Sequence, residues 1–217
     1  MILLSLLCAS VLLPGVAGDD KSPVWFVFLV RGDGPRPKDQ AVLEQMQKDH
    51  IANLDRLFGE GKLIAAGPLD DPTQRRRGIA VLTVPNHVAI ANCFKTDPYV
   101  QGRLLKLETY RWYVDPYVVR TQGLDKTKME ENRLIVLTFT HRPTDDELAR
   151  HWRSIRSLHI AGASGGSDEG GYHEFFLLKG TVETKLVDAL KRDELFRTGA
   201  PQLEVLPLYL VKDVLRD

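Results

Sequence analysis

The alternation of apolar and polar residues predicts an α+β unit in the first half of the chain. An unbroken apolar run at 24–30 predicts a buried central strand, and apolar residues spaced by three and four at 43–58 predict an amphipathic helix. The other elements expected here are strands at 63–66, 78–84 and 104–114 and a short helix at 86–96. Their order, strand, helix, short strand, strand, helix, strand, is typical of a ferredoxin-like unit.

The same order recurs in the second half, after a polar stretch at 118–132 that we interpret as a linker. Residues 95–102 also resemble residues 191–199 with one residue inserted, which indicates a tandem duplication whose copies have diverged. The elements expected in this half are strands at 134–139, 172–179 and 203–211, helices at 144–158 and 182–191, and a glycine-rich loop at 162–171.

The helix predicted at 43–58 carries a histidine on its apolar face. The residues that share this face are Leu43, Met46, His50, Leu54, Leu57 and Phe58. An imidazole in such a stripe needs partners for its ring nitrogens. Two interpretations stay open: His50 is a general base or acid at the floor of a pocket, or it is a core histidine with satisfied hydrogen bonds.

The first 18 residues differ in kind from the rest. An uncharged apolar run at 2–13 is too short to span a bilayer, and a Pro-Gly pair and small residues at 16–18 follow it. This pattern predicts a secretory signal peptide at 1–18, and hence a secreted or periplasmic protein. A buried N-terminal strand or a short anchor is the alternative. Once the segment is removed only Cys93 remains, so no intrachain disulfide is expected.

Composition and charge argue against several classes of function. The 29 basic residues balance 29 acidic ones, and no basic aromatic stripe occurs, so no nucleic-acid partner is expected. No membrane association is expected after removal of the signal peptide. Neither H-E-x-x-H nor H-x-x-E-H occurs, so no metal site is predicted. The expected partner is a small molecule.

Three short motifs follow one another in the first half. They are the helix histidine His50, the stretch Gly61–Pro68 that ends in A-G-P, and the sequence Asp97-Pro98-Tyr99. Their order and spacing resemble the YciI-like (YCII-related) family. The resemblance covers roughly residues 25–117 and, weakly, residues 134–210.

This resemblance implies a ferredoxin-like fold whose sheets pair into a dimeric α/β barrel. Because the chain holds two copies, the expected fold class is α+β, with two tandem ferredoxin-like units pairing as a pseudo-dimeric α/β barrel. The expected boundaries are a first domain at 23–117, the linker, and a degenerate second domain at 133–217. Further homo-oligomerisation stays open.

The resemblance also implies a His–Asp dyad, which carries over onto His50 and Asp97 as catalytic residues. The motif residues Gly67, Pro68 and Tyr99 are the expected substrate-binding residues. A carboxylate on one imidazole nitrogen fixes the tautomer and raises the basicity of the other. Such a pair suits isomerisation, elimination or dehydrohalogenation of a small cyclic or aromatic compound, without a cofactor. Relatives include a dehydrochlorinase acting on chlorinated hydroxyquinols. The alternative is a non-catalytic binding or structural module.

The second copy departs from the family pattern. Ala161-Gly162-Ala163 stands in place of A-G-P, and Asp193-Glu194 in place of D-P. His151 lies on the equivalent helix. Whether this half keeps a site around His151 and Asp193 stays open.

Two other motifs suggest competing functions. Residues 162–166 match G-x-S-x-G, and Ser164 with Asp168 and His173 would copy the order of an α/β-hydrolase triad. The glycines that follow do not predict the helix such an elbow requires, so an esterase is the weaker hypothesis. The arginine triplet at 75–77 would grip an anionic substrate or form a solvated loop, and the solvated loop is favoured.

Overall fold

The computed structural model describes residues 22–112, 119–155, 161–166, 172–180 and 183–216. The predicted signal peptide at 1–18 lies outside these residues.

The first half folds into an antiparallel sheet covered on one face by helices. Its strand order is β2-β3-β1-β4, so the apolar run of β1 lies in the interior of the sheet. The elements are β1 (Val24–Arg31), α1 (Gln40–Gly59), β2 (Leu63–Pro68), β3 (Arg76–Thr83), α2 (His87–Cys93), α3 (Pro98–Gln101) and β4 (Leu105–Arg111).

Local sequence explains where α1 begins and ends. Asp39 is its N-cap, and the carboxylate accepts a hydrogen bond from the backbone N–H of Ala41 at 2.8 Å. Gly61, just beyond the helix, takes a left-handed φ of 68°, which glycine adopts without strain. His50 and Leu57 are buried, as the apolar stripe predicts.

The second half has a sheet of the same order, β6-β7-β5-β8. A capping box opens the helix at Asp145–Ile155: Thr144 Oγ1 accepts from the Glu147 backbone N–H, and the Glu147 carboxylate accepts from the Thr144 backbone N–H. The elements are β5 (Met129–Phe139), α4 (Asp145–Ile155), β6 (Ala161–Gly166), β7 (Tyr172–Lys179), α5 (Glu183–Arg192), α6 (Glu194–Gly199) and β8 (Gln202–Val211).

The structure corrects three sequence-based boundaries. The loop predicted at 162–171 is wrong in its first part, because Ala161–Gly166 is the edge strand β6 and pairs with β7. An edge strand of small residues carries no apolar alternation, so its backbone pairing leaves no signal in the pattern. Gly67 and Pro68, which lie beyond the strand predicted at 63–66, belong to β2, and β5 begins at Met129, within the stretch interpreted as a linker.

The two sheets pack face to face through one apolar cluster. Phe26 of β1 stacks on Phe175 of β7, with ring centroids 4.8 Å apart. At one margin β2 meets β8, where the Asp70 N–H donates to the Pro207 carbonyl at 2.9 Å. A Cβ on Gly67 would lie 1.8 Å from the Tyr209 carbonyl oxygen, so this contact requires glycine. The two halves therefore form one packed body.

The opposite face of each sheet is covered by the helices of its own half. The space between α1 and the first sheet contains the candidate site. Within the described residues, no helix is both long and apolar enough to cross a bilayer.

Candidate functional site

The structure brings His50 and Asp97 together from elements 47 positions apart. His50 Nδ1 lies 2.6 Å from Asp97 Oδ2. The Asp97 side chain is fully buried, and 11% of the His50 side chain is exposed. An ionised carboxylate can only accept a hydrogen bond, so Nδ1 carries the proton in this contact. In a neutral ring the other nitrogen, Nε2, then has a lone pair that can interact with other groups.

Asp97 is fixed by a second role. It is the N-cap of α3, and its Oδ1 accepts from the backbone N–H groups of Tyr99 and Val100 at 3.0 and 3.4 Å. Pro98 at the first helical position fits the geometry of a helix start. One carboxylate oxygen of Asp97 therefore caps the helix while the other holds the imidazole of His50.

A buried amide fixes α1 relative to the end of α2. Asn53 Nδ2 donates to the Cys93 carbonyl at 3.2 Å, and Arg56 donates to the same carbonyl and to Asn53 Oδ1. Asn53 lies one helical turn beyond His50. These hydrogen bonds therefore help to fix the position of the His50 imidazole relative to Asp97. Sequence reasoning missed Asn53, although its place at i+3 on the apolar face was a usable signal.

His50 lines a cavity of about 1130 Å³ between α1, the first sheet and the end of β8. The three residues predicted to bind substrate, Gly67, Pro68 and Tyr99, line the same cavity. Tyr99 packs edge-to-face on His50 with ring centroids 5.3 Å apart, and its hydroxyl donates to Gln47 Oε1 at 2.9 Å. Burial raises the pKa of Tyr99, so its phenol stays protonated near neutral pH.

Among the described residues, His50 Nε2 makes no hydrogen bond, while Nδ1 is held by Asp97. A ring nitrogen with a lone pair at a cavity can take a proton from a bound compound and return it. The arrangement therefore has the parts of a general acid–base site.

The second half contains an equivalent histidine–aspartate pair, but its histidine has an additional partner. His151 Nδ1 lies 2.9 Å from Asp193 Oδ1, and Asp193 caps α6 through the backbone N–H groups of Leu195 and Phe196. On the other side of the ring, Nε2 lies 2.9 Å from Glu174 Oε2. The His151 side chain is completely buried. Both ring nitrogens are thus occupied.

The carboxylates around His151 explain why its pKa is raised. Burial alone would lower the pKa of His151, but the carboxylates of Glu174 and Asp193 outweigh burial and raise it. Burial acts to raise the pKa of Asp193, and the hydrogen bonds from Ser154 and His151 overcome this and lower it. The neighbouring cavity measures only about 120 Å³. Sequence reasoning missed Glu174, which is separated in sequence and points into the core from β7.

The α/β-hydrolase motif at 162–166 does not have the local structure that such an enzyme requires. Ser164 lies within the strand β6, and the nucleophile elbow needs a sharp turn into a helix. Asp168 lies outside the described residues, and His173 Nδ1 contacts Thr138 Oγ1 at 3.1 Å.

The arginine triplet separates into three environments. Arg75 is exposed in the loop before β3, as predicted, and pairs with Glu108, whereas Arg76 belongs to β3, is half-buried and pairs with Glu204 at 3.0 Å. Arg77 lines the cavity. Within the parts of the chain that are described, no cluster of three metal-ligating side chains occurs.

Comparison with known proteins agrees with the first-half motifs. Residues 26–112 match the model of the YCII-related domain. No curated protein matches the chain.

Solved structures resemble the whole chain at low identity. A protein from Fusobacterium nucleatum, provisionally described as a monooxygenase, is 10% identical with a TM-score of 0.58, covering 91% of this chain and 96% of that one. A chlorite dismutase variant from Candidatus Nitrospira defluvii is 11% identical with a TM-score of 0.56, covering 86% and 92%. A heme-binding protein from Thermus thermophilus is 11% identical with a TM-score of 0.51, covering 88% and 91%. The fold is therefore mixed α+β, with two antiparallel sheets, of the ferredoxin-like class these neighbours share.

Proposed function

We propose that this protein is an enzyme of acid–base chemistry on a small cyclic or aromatic compound, with His50 as the proton-transfer group and Asp97 as its positioning residue. One observation carries the proposal: Nδ1 is held by a buried carboxylate, Nε2 has no hydrogen-bond partner among the described residues, and His50 lines a large cavity. The family match over residues 26–112 supports it, because the motifs that suggested the pair lie in that segment.

The proposed chemistry follows from the two nitrogens. Nε2 takes a proton from a carbon or hydroxyl of the bound compound, and the imidazolium that forms is stabilised by the Asp97 carboxylate. Returning the proton to a different atom of the compound completes an isomerisation. If the electron pair instead expels a leaving group, such as chloride, the reaction is an elimination. These steps use only this chain's side chains, which is why the proposal includes no cofactor.

We further propose that the second half is a degenerate copy that completes a pseudo-dimeric α/β barrel within one chain. Its identical strand order and the apolar cluster shared by both sheets support this. We also propose that the protein is exported, from the apolar segment at the start of the sequence. N-terminal sequencing of the purified protein tests export, with the mature chain expected to begin near Asp19.

A non-catalytic binding protein is the second candidate, favoured by a cavity larger than one aromatic ring needs. One fold neighbour is a heme-binding protein. If this chain bound a haem, His50 would hold it, because Nε2 has no hydrogen-bond partner among the described residues and the cavity that His50 lines has sufficient volume, and Asp97 would orient the ring. A bound haem would supply redox chemistry at its iron. Titrating the protein with hemin, with His50→Ala as the control, tests this directly.

The enzyme proposal is tested by turnover. Wild-type protein is screened by mass spectrometry against lactones, halogenated phenols and hydroxyquinols, and hits are repeated with His50→Ala and Asp97→Asn. We expect both variants to remain folded by circular dichroism and to lose about 10²–10⁴-fold in rate. Consumption of a compound at the wild-type rate by His50→Ala would contradict the proposal, and binding without consumption would favour the second candidate.

A further inference from the structure

The cavity beside His50 is built by both halves of the chain. Its volume, about 1130 Å³, is at the upper end of the range for small-molecule sites. Apolar side chains of α1, such as Leu54 and Phe58, form one wall. The second half and the segment before it contribute a further apolar wall, formed by Leu124, Met129, Leu210, Val211 and Val214.

Three arginines line the same cavity: Arg31, Arg36 and Arg77. Among the described residues, none of their guanidinium groups has a carboxylate within ion-pair distance, and Arg77 contacts only the neutral amide of Gln74. Most other arginines of the first half are paired, as Arg75 is with Glu108. The cavity therefore has cationic groups without counter-ions.

The acidic residues of the cavity do not balance these arginines. Asp33 pairs with Lys106 at 3.0 Å, and Asp55 pairs with Lys126 at 3.0 Å. Lys126 also packs over the ring of Phe58. Each carboxylate that lines the cavity thus has its own lysine, and the uncompensated charge is positive.

The backbone brings the three arginines to one end of the first sheet. Arg31 ends β1, and its N–H donates to the Arg75 carbonyl at 2.7 Å, next to Arg77 at the start of β3. Arg36 lies in the loop that follows β1. A Cβ on Gly32 or Gly34 would lie 1.9 Å from a backbone carbonyl oxygen of the 102–103 segment, so these glycines let the loop approach that segment closely. The backbone positions of these arginines are therefore set by the fold, and their exposed side chains border the cavity.

We infer that the cavity takes an organic anion with a bulky apolar body, a carboxylate or sulfonate lying against the arginines and the body against the apolar wall. This inference deepens the proposed function, because it names the chemical class of compound that would lie beside His50. Guanidinium groups suit such an anion because they can donate two parallel hydrogen bonds to two oxygens of one anionic group.

Two fluorescent probes that share one skeleton test the inference. We measure binding of 8-anilinonaphthalene-1-sulfonate and of N-phenyl-1-naphthylamine, which lacks the sulfonate. The variant R31Q/R36Q/R77Q should bind the sulfonate probe at least about tenfold more weakly, because charge-assisted hydrogen bonds are lost, and the neutral probe within about twofold of wild type. Salt near 1 M, where the screening length is about 3 Å, should weaken only the sulfonate probe.

The matched control is Arg75→Gln, which removes a neighbouring arginine that does not line the cavity. It should change binding of neither probe. The inference is overturned if the triple variant binds both probes as wild type does, if it loses both equally, or if Arg75→Gln weakens the sulfonate probe as strongly.

The design separates this inference from the proposed function. His50→Gln should keep the affinity for the sulfonate probe, because the arginines are intact. A triple variant that loses the sulfonate probe and keeps the neutral probe supports the anion site whatever the turnover screen finds. Conversely, a His50-dependent turnover of a neutral compound, with unchanged probe binding in the triple variant, overturns the anion site and leaves the proposed chemistry standing.

Discussion

Two histidines hold equivalent places in the two halves of this molecule, and their surroundings differ in one group. His50 and His151 each bond through Nδ1 to an aspartate that caps the next short helix. In the second half Glu174 takes the other nitrogen, and in the first half Nε2 faces a large cavity. The same pair thus serves a buried structural network in one half and is available for chemistry in the other.

This difference shows why a histidine–aspartate pair is not by itself evidence of catalysis. The N-cap role of the aspartate explains its placement in both halves, since a helix start favours a carboxylate there. What distinguishes the candidate site is the unpaired nitrogen and the room beside it. The predictions below separate the two pairs.

The largest effect is expected from removing the buried imidazole of the second half. His151→Ala leaves two buried carboxylates without their shared partner and should lower the free energy of unfolding by about 3–5 kcal/mol. His50→Ala, at the cavity where water can replace the ring, should lower it by about 1 kcal/mol. Urea unfolding measures both. Equal losses would contradict the assignment of different roles.

A smaller loss is expected at the junction of the halves. Gly67→Ala places a Cβ 1.8 Å from the Tyr209 carbonyl oxygen, so the two halves must shift apart. We expect a loss of about 1–3 kcal/mol in unfolding free energy. Gly59→Ala is the control, because a Cβ there meets no atom within 4 Å. A neutral Gly67→Ala would mean that β2 and β8 do not pack as closely as described.

The free energy of unfolding should depend on pH through the pair formed by His151 and Asp193. The raised pKa of His151 contributes stability that is fully present below about pH 6.5, its unfolded value, and is lost as pH rises through the higher folded value. The lowered pKa of Asp193 contributes stability that is present above about pH 3.8 and is lost as pH falls further.

The difference in unfolding free energy between wild type and His151→Gln should therefore shrink as pH is raised from 6 towards 9, by about 1.4 kcal/mol for each unit of pKa shift. The control is Ile155→Val on the same helix, which removes a buried methylene and no titrating group. Its difference should stay constant with pH. A constant difference for His151→Gln as well would contradict the charged network.

The pattern of apolar residues was sufficient to predict most of the first half. The buried stripe that contains His50 and the central strand β1 both appear where the sequence indicates. Each depends on local propensity or on periodicity, which sequence carries directly. The resemblance to the YCII-related family likewise implied that His50 and Asp97 belong together, and the structure brings them into contact.

The groups that sequence could not supply depend on tertiary contacts. Glu174 reaches His151 across the core, and nothing in its own segment distinguishes it from a solvated residue. β6 is held by backbone pairing to β7, so its glycine-rich sequence suggests a loop. Arg31, Arg36 and Arg77 stand out as cavity-lining cations only after the ion pairs of the described residues have been assigned.

The smallest effect is expected at the tyrosine beside His50. Tyr99→Phe removes the hydroxyl that donates to Gln47 and should lower the free energy of unfolding by at most about 1 kcal/mol. Tyr209→Phe, whose hydroxyl contacts Glu131 at 3.4 Å, is the matched control. Thermal unfolding of both variants measures the difference. A loss of several kcal/mol would show that Tyr99 stabilises the fold rather than bordering a ligand site.

The most direct test of the central claim is the chemical accessibility of the two imidazoles. Diethyl pyrocarbonate acylates an unprotonated, reachable ring nitrogen, and peptide mapping by mass spectrometry reports each histidine separately. We predict that His50 is modified in the folded protein while His151 stays unmodified until the chain is unfolded. Protection of His50 equal to that of His151 would contradict the account.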